Sequence, residues 1–388
     1  MTGFPPPESS DRNWVALASR NATMSYILSF VFSVLVALLV PVVPLIAFRM
    51  GASQVELGII GAASPLSYVP IALLSGVLSD RVRRRTLIVI SSLVYALSCS
   101  VYLMSSSPLH LVFARMLDGV ATAILWPAVE ALLADSVLVS GGQLVSNFGV
   151  LWSSGSFAGG ILSSAALGTG QYEIVFLPSV AVALLMGIGS LLTISEADPK
   201  GGSKKTEPFE TVAPGSMAMS WALAVLYSFC QGTIFSLYPP YAQIIGIQAS
   251  MIGLSIAFIL AGRTFAFFIY RYLKAGFGKL TLIGPLMASV FMVPFAFSAE
   301  PLVFLPAASL LGVGVGLCYS TAIRAALEAD PASKGKYAGL FEASIGLGYL
   351  LGPAAGGFAA EAVLVGPYAV CSLVALVVAA LATKILRQ

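Results

Sequence analysis

Charge is scarce in this sequence. Asp, Glu, Lys and Arg make up 10% of the 388 residues, too few to coat a soluble globule of that length. Histidine occurs once, as His110, which excludes a histidine-based metal cluster. No glycine-rich loop ending in Gly-Lys-Ser/Thr is present to cradle nucleotide phosphates, and hence there is no sign of a built-in ATPase. Also lacking is any converging nucleophile, base or metal set of the kind an enzyme needs. The long apolar runs do not alternate with polar residues, which excludes a transmembrane β-barrel. Cysteine appears only at Cys99, Cys230, Cys318 and Cys371, each time inside an apolar segment. Such thiols read as small buried apolar side chains, not as disulfides or metal ligands. The opening stretch MTGFPPPESSDRNW is polar and proline-rich, and the first apolar segment lacks the short apolar core and small-residue cleavage site of a signal peptide. The stretch reads as a cytoplasmic tail ahead of a retained helix. No metal, cofactor or nucleic-acid partner is expected.

Apolar sequence fills the rest. Hydrophobic residues make up 58% of the chain, and the mean hydropathy is +0.94. Apolar segments recur from Tyr26 to Leu386, each long enough to cross a hydrocarbon core of ~30 Å at ~1.5 Å per residue. The runs and their breaks predict an all-α polytopic membrane protein with twelve transmembrane helices. They fall at 24–48, 54–78, 86–105, 109–134, 143–168, 174–194, 218–238, 251–271, 279–298, 302–327, 336–361 and 367–387. One connection is long, charged and rich in Gly and Pro: SEADPKGGSKKTEPFETVAPGS. It divides the chain into a cytoplasmic tail (1–23), a six-helix bundle (24–194), a cytoplasmic linker (195–217) and a second six-helix bundle (218–388).

The basic residues set the expected orientation. With the N-terminus inside, sixteen of the twenty Lys and Arg fall in cytoplasmic segments or helix ends. Arg49 alone is external, and Arg115, Arg263 and Arg324 lie within helices. Both termini are then cytoplasmic, as an even helix count requires, and the cell membrane is the expected location. The halves also repeat. ALLADSVLVSGGQLVSNFGVLWSSGSFAGG follows helix four, and AALEADPASKGKYAGLFEASIGLGYLLGPAAGG follows helix ten. Each has an Ala-Asp end (Asp135, Asp330), a polar loop, and a glycine-rich helix closing in Gly-Gly. Duplicated helical halves suit a rocking transporter with its site at the bilayer midplane between them.

Three motifs are informative beyond composition. Gly76, Leu78, Asp80, Arg81, Arg84 and Arg85 follow the spacing G-x-L-a-D-R-x-G-R-R/K, with Arg83 at the second glycine. Arg115 and Gly119 follow R-x-x-x-G on helix four. Gly339, Gly348, Gly352, Pro353, Gly356 and Gly357 form a complete antiporter-type glycine motif on helix eleven; helix five keeps Gly155, Gly159 and Gly160, with Ser156 where proline would stand. In these motifs the chain resembles the major facilitator superfamily over nearly its whole length, in its drug/metabolite:proton antiporter branch. The resemblance implies two pseudo-symmetric six-helix bundles, alternating-access transport of a small-molecule substrate, protons as coupling ion, and a monomer in the lipid bilayer. It also implies that the loop after helix two latches the cytoplasmic ends of the bundles. That role is carried to Gly76, Asp80, Arg81, Arg84 and Arg85, with Glu130 and Asp135 as partners for the arginines. The alternative is a topology anchor, for which basic residues suffice.

A charge within a membrane helix costs at least ~2.5–3.5 kcal/mol at mid-depth, and so faces protein or water. The candidates are Arg115, Asp118 and Glu130 on helix four, Arg263 on helix eight, Arg324 on helix ten and Glu342 on helix eleven. Helices three, six, nine and twelve, peripheral in the resembled fold, carry none away from their ends. Arg115, Asp118, Thr122, Trp126 and Glu130 share one face. Arg115 and Asp118 serve either transport or a self-satisfied structural pair, and Trp126 either substrate or a packed kink at Pro127. Arg263 and Glu342 are expected at comparable depth, as an inter-helix ion pair that substrate or a proton breaks. Arg324 precedes Glu328 by four residues, the spacing of a gate-side helix pair. A low-dielectric cavity favours the protonated form of a carboxylate, so Asp118 and Glu342 are the expected proton carriers. Arg115 and Arg263 would attract an anionic substrate group or hold those carboxylates ionised. Tyr26, Tyr227 and Gln231 are candidate substrate contacts, with packing as the blander account. The glycines of helices five and eleven read as close packing that lets the halves rock. Proton-coupled export of a small organic compound is the leading expectation. Symport or facilitated passage of an organic anion is the runner-up; a lipid scramblase, flippase or membrane enzyme on the same fold is the alternative of another class.

Overall fold

The apolar runs fold as helices throughout: in a computed structural model every regular element among the described residues is helical. The structure describes residues 9–78, 82–136, 141–195, 214–273, 276–328 and 334–385, with side chains over 20–72, 74, 82–133, 148–195, 217–273, 276–326 and 340–384. The helices are α1 (Ser9–Arg49), α2 (Gln54–Leu78), α3 (Arg84–Leu103), α4 (Pro108–Ser136), α5 (Gly141–Gly168), α6 (Phe176–Thr193), α7 (Pro214–Ile244), α8 (Ala249–Tyr270), α9 (Phe277–Phe297), α10 (Pro301–Glu328), α11 (Lys334–Ala362) and α12 (Gly366–Ile385). A 3-10 turn at Tyr172–Val175 leads into α6. All twelve helices are long and apolar enough to cross a membrane.

Two boundaries differ from the sequence expectation by more than four residues. Helix α1 begins at Ser9, within the predicted tail, because nothing between Ser9 and Thr23 breaks a helix. Helix α7 continues to Ile244 through Pro239 and Pro240, beyond the expected end at Tyr238. Prolines survive inside membrane helices because packed neighbours satisfy the carbonyls they free. All four cysteines are buried and unbridged, as expected.

The repeat is visible in the way helices end. Both α1 and α7 finish on a glycine with positive φ, Gly51 at 83° and Gly246 at 87°. The next amide in each case reaches back into the last turn: Ala52 N–H to the Ala47 carbonyl at 3.0 Å, and Ile247 N–H to the Ala242 carbonyl at 2.9 Å. Both are Schellman caps, which need a residue that tolerates the left-handed region. Within α1–α6, α1 packs on α5, α2 on α4, and α3 on α4 and α6. Within α7–α12, α7 packs on α11, α8 on α10, and α9 on α10 and α12. The two sets meet along α5–α8 and α2–α11, with α1 touching α7.

Glycine sets how closely these seams approach. A Cβ at Gly155 would collide with the Phe30 carbonyl of α1, and one at Gly159 with the Val34 carbonyl. At Gly160 it would stand 2.8 Å from the Ala257 backbone of α8. On α11, Gly352 lies against the Phe229 carbonyl of α7, and a Cβ at Gly357 would stand 2.8 Å from the Gln54 carbonyl of α2. Each Gly-Gly pair thus serves two neighbours at once, because successive residues project about 100° apart around a helix. The cross-seams at Gly160 and Gly357 lie towards the end of the bundle opposite the start of α1.

Replacing Gly352 or Gly155 by Val should destabilise the folded protein by about 1–3 kcal/mol, since the obstruction is backbone and cannot swing away. Gly189→Ala, with nothing within 4 Å of the added carbon, should be neutral or slightly stabilising. Thermal unfolding in detergent compares the three.

Candidate functional site

Between the two sets of helices lies a cavity of ≈ 360 Å³. Its walls come from α1, α2, α4, α5, α7, α8, α10 and α11, with Tyr95 of α3; α6, α9 and α12 contribute no lining residue. Arg115, Asp118, Trp126, Glu130, Tyr227, Arg263 and Glu342 all line it. Five ionisable groups from three helices therefore share one opening. Gln231 is fully buried just behind the wall, where it touches Arg263 and Tyr349. Tyr26 and Arg324 are not in the lining.

On α4 the i, i+3 spacing joins Arg115 and Asp118. Arg115 Nη1 donates to Asp118 Oδ2 at 3.0 Å, with side-chain exposures of 23% and 8%. The same oxygen accepts the Tyr102 hydroxyl of α3 at 2.7 Å. Two donors on one carboxylate oxygen, one of them cationic, make this a neutral, internally satisfied unit at one end of the cavity.

Arg263 is held differently. It is 3% exposed, yet no carboxylate touches it among the described residues. Its Nε donates to Ser153 Oγ of α5 at 3.0 Å. Its Nη1 is shared between the Tyr227 hydroxyl at 3.4 Å and Gln231 Oε1 at 3.3 Å, both on α7. The Trp152 ring lies over the guanidinium, 4.4 Å from its carbon, a cation–π contact. Nη2 has no acceptor, and the neighbouring amide Nε2 of Gln231 has none either. Aromatic rings continue the wall in a chain of contacts: Trp126 to Trp152 at 6.3 Å, Trp152 to Tyr319 at 6.2 Å, and Tyr319 to Tyr227 at 4.9 Å. That chain crosses from α4 and α5 to α7 and α10.

The expected Arg263–Glu342 ion pair does not form. Glu342 instead accepts the Tyr68 hydroxyl of α2 on Oε2 at 3.3 Å. The two sit at different depths: Tyr349, which shares Gln231 with Arg263, stands about 10 Å along α11 from Glu342. Glu130 and Glu342 are exposed although both lie inside membrane-crossing helices, so they face the cavity's open side. Glu130 is also about 22 Å along α4 from Arg115, nearer the terminal end.

Glu130 faces the cavity, while Arg84 Nη1 donates to the Ala131 carbonyl at 3.1 Å, because adjacent positions on α4 point in different directions. Arg85 is half-buried at the start of α3. Asp80 and Arg81 lie outside the described residues; Gly76, Asp135, Glu328 and Gly339 stand in helices but outside the described side chains. Tyr68, Trp152, Ser153, Tyr319 and Tyr349 complete the site and were missed in the sequence. Tyr349 follows Glu342 by two turns, a spacing that would have placed it on that face. Trp152 and Ser153 meet Arg263 across a helix seam, for which the sequence carries no signal.

Tyr102→Phe should cost roughly 1 kcal/mol of stability by removing one hydrogen bond to Asp118. Asp118→Ala should cost about two to three times as much, since it strands Arg115. Equal unfolding temperatures for wild type and both variants would show that the Arg115–Asp118–Tyr102 unit is not structural.

Comparison with known proteins agrees with this architecture. The sequence model of the Major Facilitator Superfamily matches residues 25–334. An uncharacterized MFS-type transporter, MJ1560, of Methanocaldococcus jannaschii is 23% identical over 364 residues, covering 88% of this chain and 92% of that one. The quinolone resistance protein NorA of Staphylococcus aureus is 24% identical over 269 residues, 64% of this chain and 66% of NorA. Among solved structures, a point mutant of the nucleoside transporter NupG superposes with a TM-score of 0.76 at 13% identity, covering 94% of this chain and 99% of that one. An inward-facing, occupied bacterial homolog to the human lysosomal transporter Spinster gives 0.73 at 15% identity, covering 99% and 98%. The family model spans most of the chain, and this multi-pass membrane protein belongs to the Major Facilitator Superfamily of transporters.

Proposed function

We propose that the protein exports a small organic solute by alternating access, in exchange for protons. Residues 24–194 and 218–388 act as two rocking bundles, joined by the 195–217 segment. The observation that carries this reading is one cavity walled by both sets of helices and lined by three carboxylates, one of them paired with Arg115. Glycines bring the backbones of the two sets close along α5–α8 and α2–α11, the seams that part in this cycle. Substrate and protons then bias the two states by their differential affinity for each.

The carboxylates suited to coupling are Glu342 and Glu130. Glu342 holds one neutral partner, the Tyr68 hydroxyl, so taking up a proton breaks no ion pair. Asp118 would have to surrender Arg115 and Tyr102, which argues for a structural part. At one proton per substrate, each unit of pH gradient is about 1.4 kcal/mol and sustains a tenfold substrate gradient. The likeness to a quinolone resistance protein supports the outward direction. A second reading, proton-driven uptake of an organic anion, is favoured by the unpaired charge on Arg263 and differs in the sign of exchange.

Glu342→Gln and Glu130→Gln should lower pH-gradient-driven flux of a fluorescent quinolone into or out of proteoliposomes at least about tenfold, with unfolding temperatures unchanged. An acid exterior should drive the solute out; inward accumulation under the same gradient selects the uptake reading. Full proton-driven flux in both variants removes the coupling assignment. Spin labels at Met50, on the α1–α2 turn, and at Ile244, the last residue of α7, should show two distances whose populations respond to pH. One distance at every pH, with or without solute, overturns alternating access.

A further inference from the structure

We infer that the cargo is an aromatic organic anion, its anionic group seated on Arg263 and its ring among Trp152, Tyr227 and Tyr319. This names the substrate class of the cavity and rests on the transport reading above.

A buried guanidinium needs compensation. Removing a charge from water without a counter-charge costs several kcal/mol in real proteins, and neutral hydroxyls return only part of it. Arg263 is 3% exposed, receives no carboxylate among the described residues, and keeps one amine, Nη2, without any acceptor. The adjacent Gln231 Nε2 is also buried and unpartnered. Two residues in contact, Nη1 to Oε1 at 3.3 Å, thus each keep one unused donor. A planar two-oxygen acceptor such as a carboxylate matches a guanidinium edge flanked by an amide.

The rest of the cavity assigns that anion to one place. Arg115 is already neutralised by Asp118, so it offers no free positive charge. Glu130 and Glu342, towards the terminal end, repel an anion. The surface next to Arg263 is aromatic, with Trp152 on the guanidinium face and Tyr319 and Tyr227 beyond. Flat rings favour a flat ligand, which stacks edge or face against them. At ≈ 360 Å³ the cavity lies at the small end for organic ligands, room for one or two fused rings. Nη2 is covered in this conformation, and seating the anion requires a side-chain movement that uncovers it.

A structural pin is the competing account, since Arg263 ties α8 to α5 and α7. A pin uses the guanidinium only as a hydrogen-bond donor and predicts no preference for a charged ligand over its neutral isostere.

Equilibrium binding separates the two. The full-length protein in detergent, without any gradient, is titrated with naphthoate, its neutral isostere naphthamide, and cyclohexanecarboxylate, with tryptophan fluorescence and calorimetry as readouts. Naphthoate should bind about tenfold or more tighter than naphthamide, and also tighter than cyclohexanecarboxylate. Arg263→Gln should erase the acid–amide difference. Trp152→Leu should erase the preference for the ring. Equal binding of acid and amide to the wild type, binding of neither, or an Arg263→Gln variant that still prefers the acid overturns the assignment. The wild-type comparison stands even where a variant fails to fold. Loss of the acid preference alongside pH-responsive Met50–Ile244 distances discards the substrate class alone; naphthoate binding with one fixed distance discards transport and keeps the site.

Discussion

Hydrocarbon offers no partner to a charge, and the arrangement of this bundle follows from where its few charges go. Arg115 and Asp118 neutralise each other within α4, and Tyr102 supplies a further donor from α3. Glu130 and Glu342 turn towards a shared cavity. Arg263 is enclosed by hydroxyls, an amide and an indole ring, with part of its donor capacity unused. Pairing, solvation and partial compensation have different functional values. A closed pair stabilises the fold, an exposed carboxylate can exchange a proton, and an under-compensated cation has affinity left for a ligand.

The same absence of water governs the seams between helices. Lipid tails are as apolar as leucine, so helices associate in a bilayer through close fit and dispersion instead of hydrophobic transfer. The Gly-Gly pairs of α5 and α11 provide that fit on two sides, one towards a helix of their own set and one across the seam. An interface made of backbone contact is specific in shape and crossed by few polar bonds. Ser164 Oγ donating to the Ser250 carbonyl at 2.7 Å is one such bond across α5–α8. Under the proposed cycle that seam opens at modest cost, whereas the α3–α4 unit around Asp118 stays intact.

Much of the site was legible along single helices. Arg115, Asp118, Trp126 and Glu130 all line the cavity because the α-helical repeat puts positions three and four apart on one face. Tyr227 and Gln231 meet the same guanidinium atom for the same reason. Between helices, local sequence was no guide. Depth judged by residue counting put Arg263 level with Glu342, yet the true partners of each come from α5, α7 and α2. Arg84 reaches α4 through the Ala131 carbonyl, a backbone acceptor that the sequence does not single out. Tyr26 stands on α1 away from the cavity.

The sequence by itself determined the number of spans, the membrane class and the family motifs, because apolar length and glycine spacing are local properties of one chain segment. Only the tertiary structure decided which charge meets which partner. That choice depends on helix rotation and relative depth, and these emerge from packing between segments far apart in sequence. Asp118 and Glu342 are both carboxylates inside apolar helices, and nothing in their local sequence separates them. The Tyr102 hydroxyl and Arg115 hold the first, whereas the second has a single hydroxyl and lines the cavity, and on that difference the proposed division of roles rests.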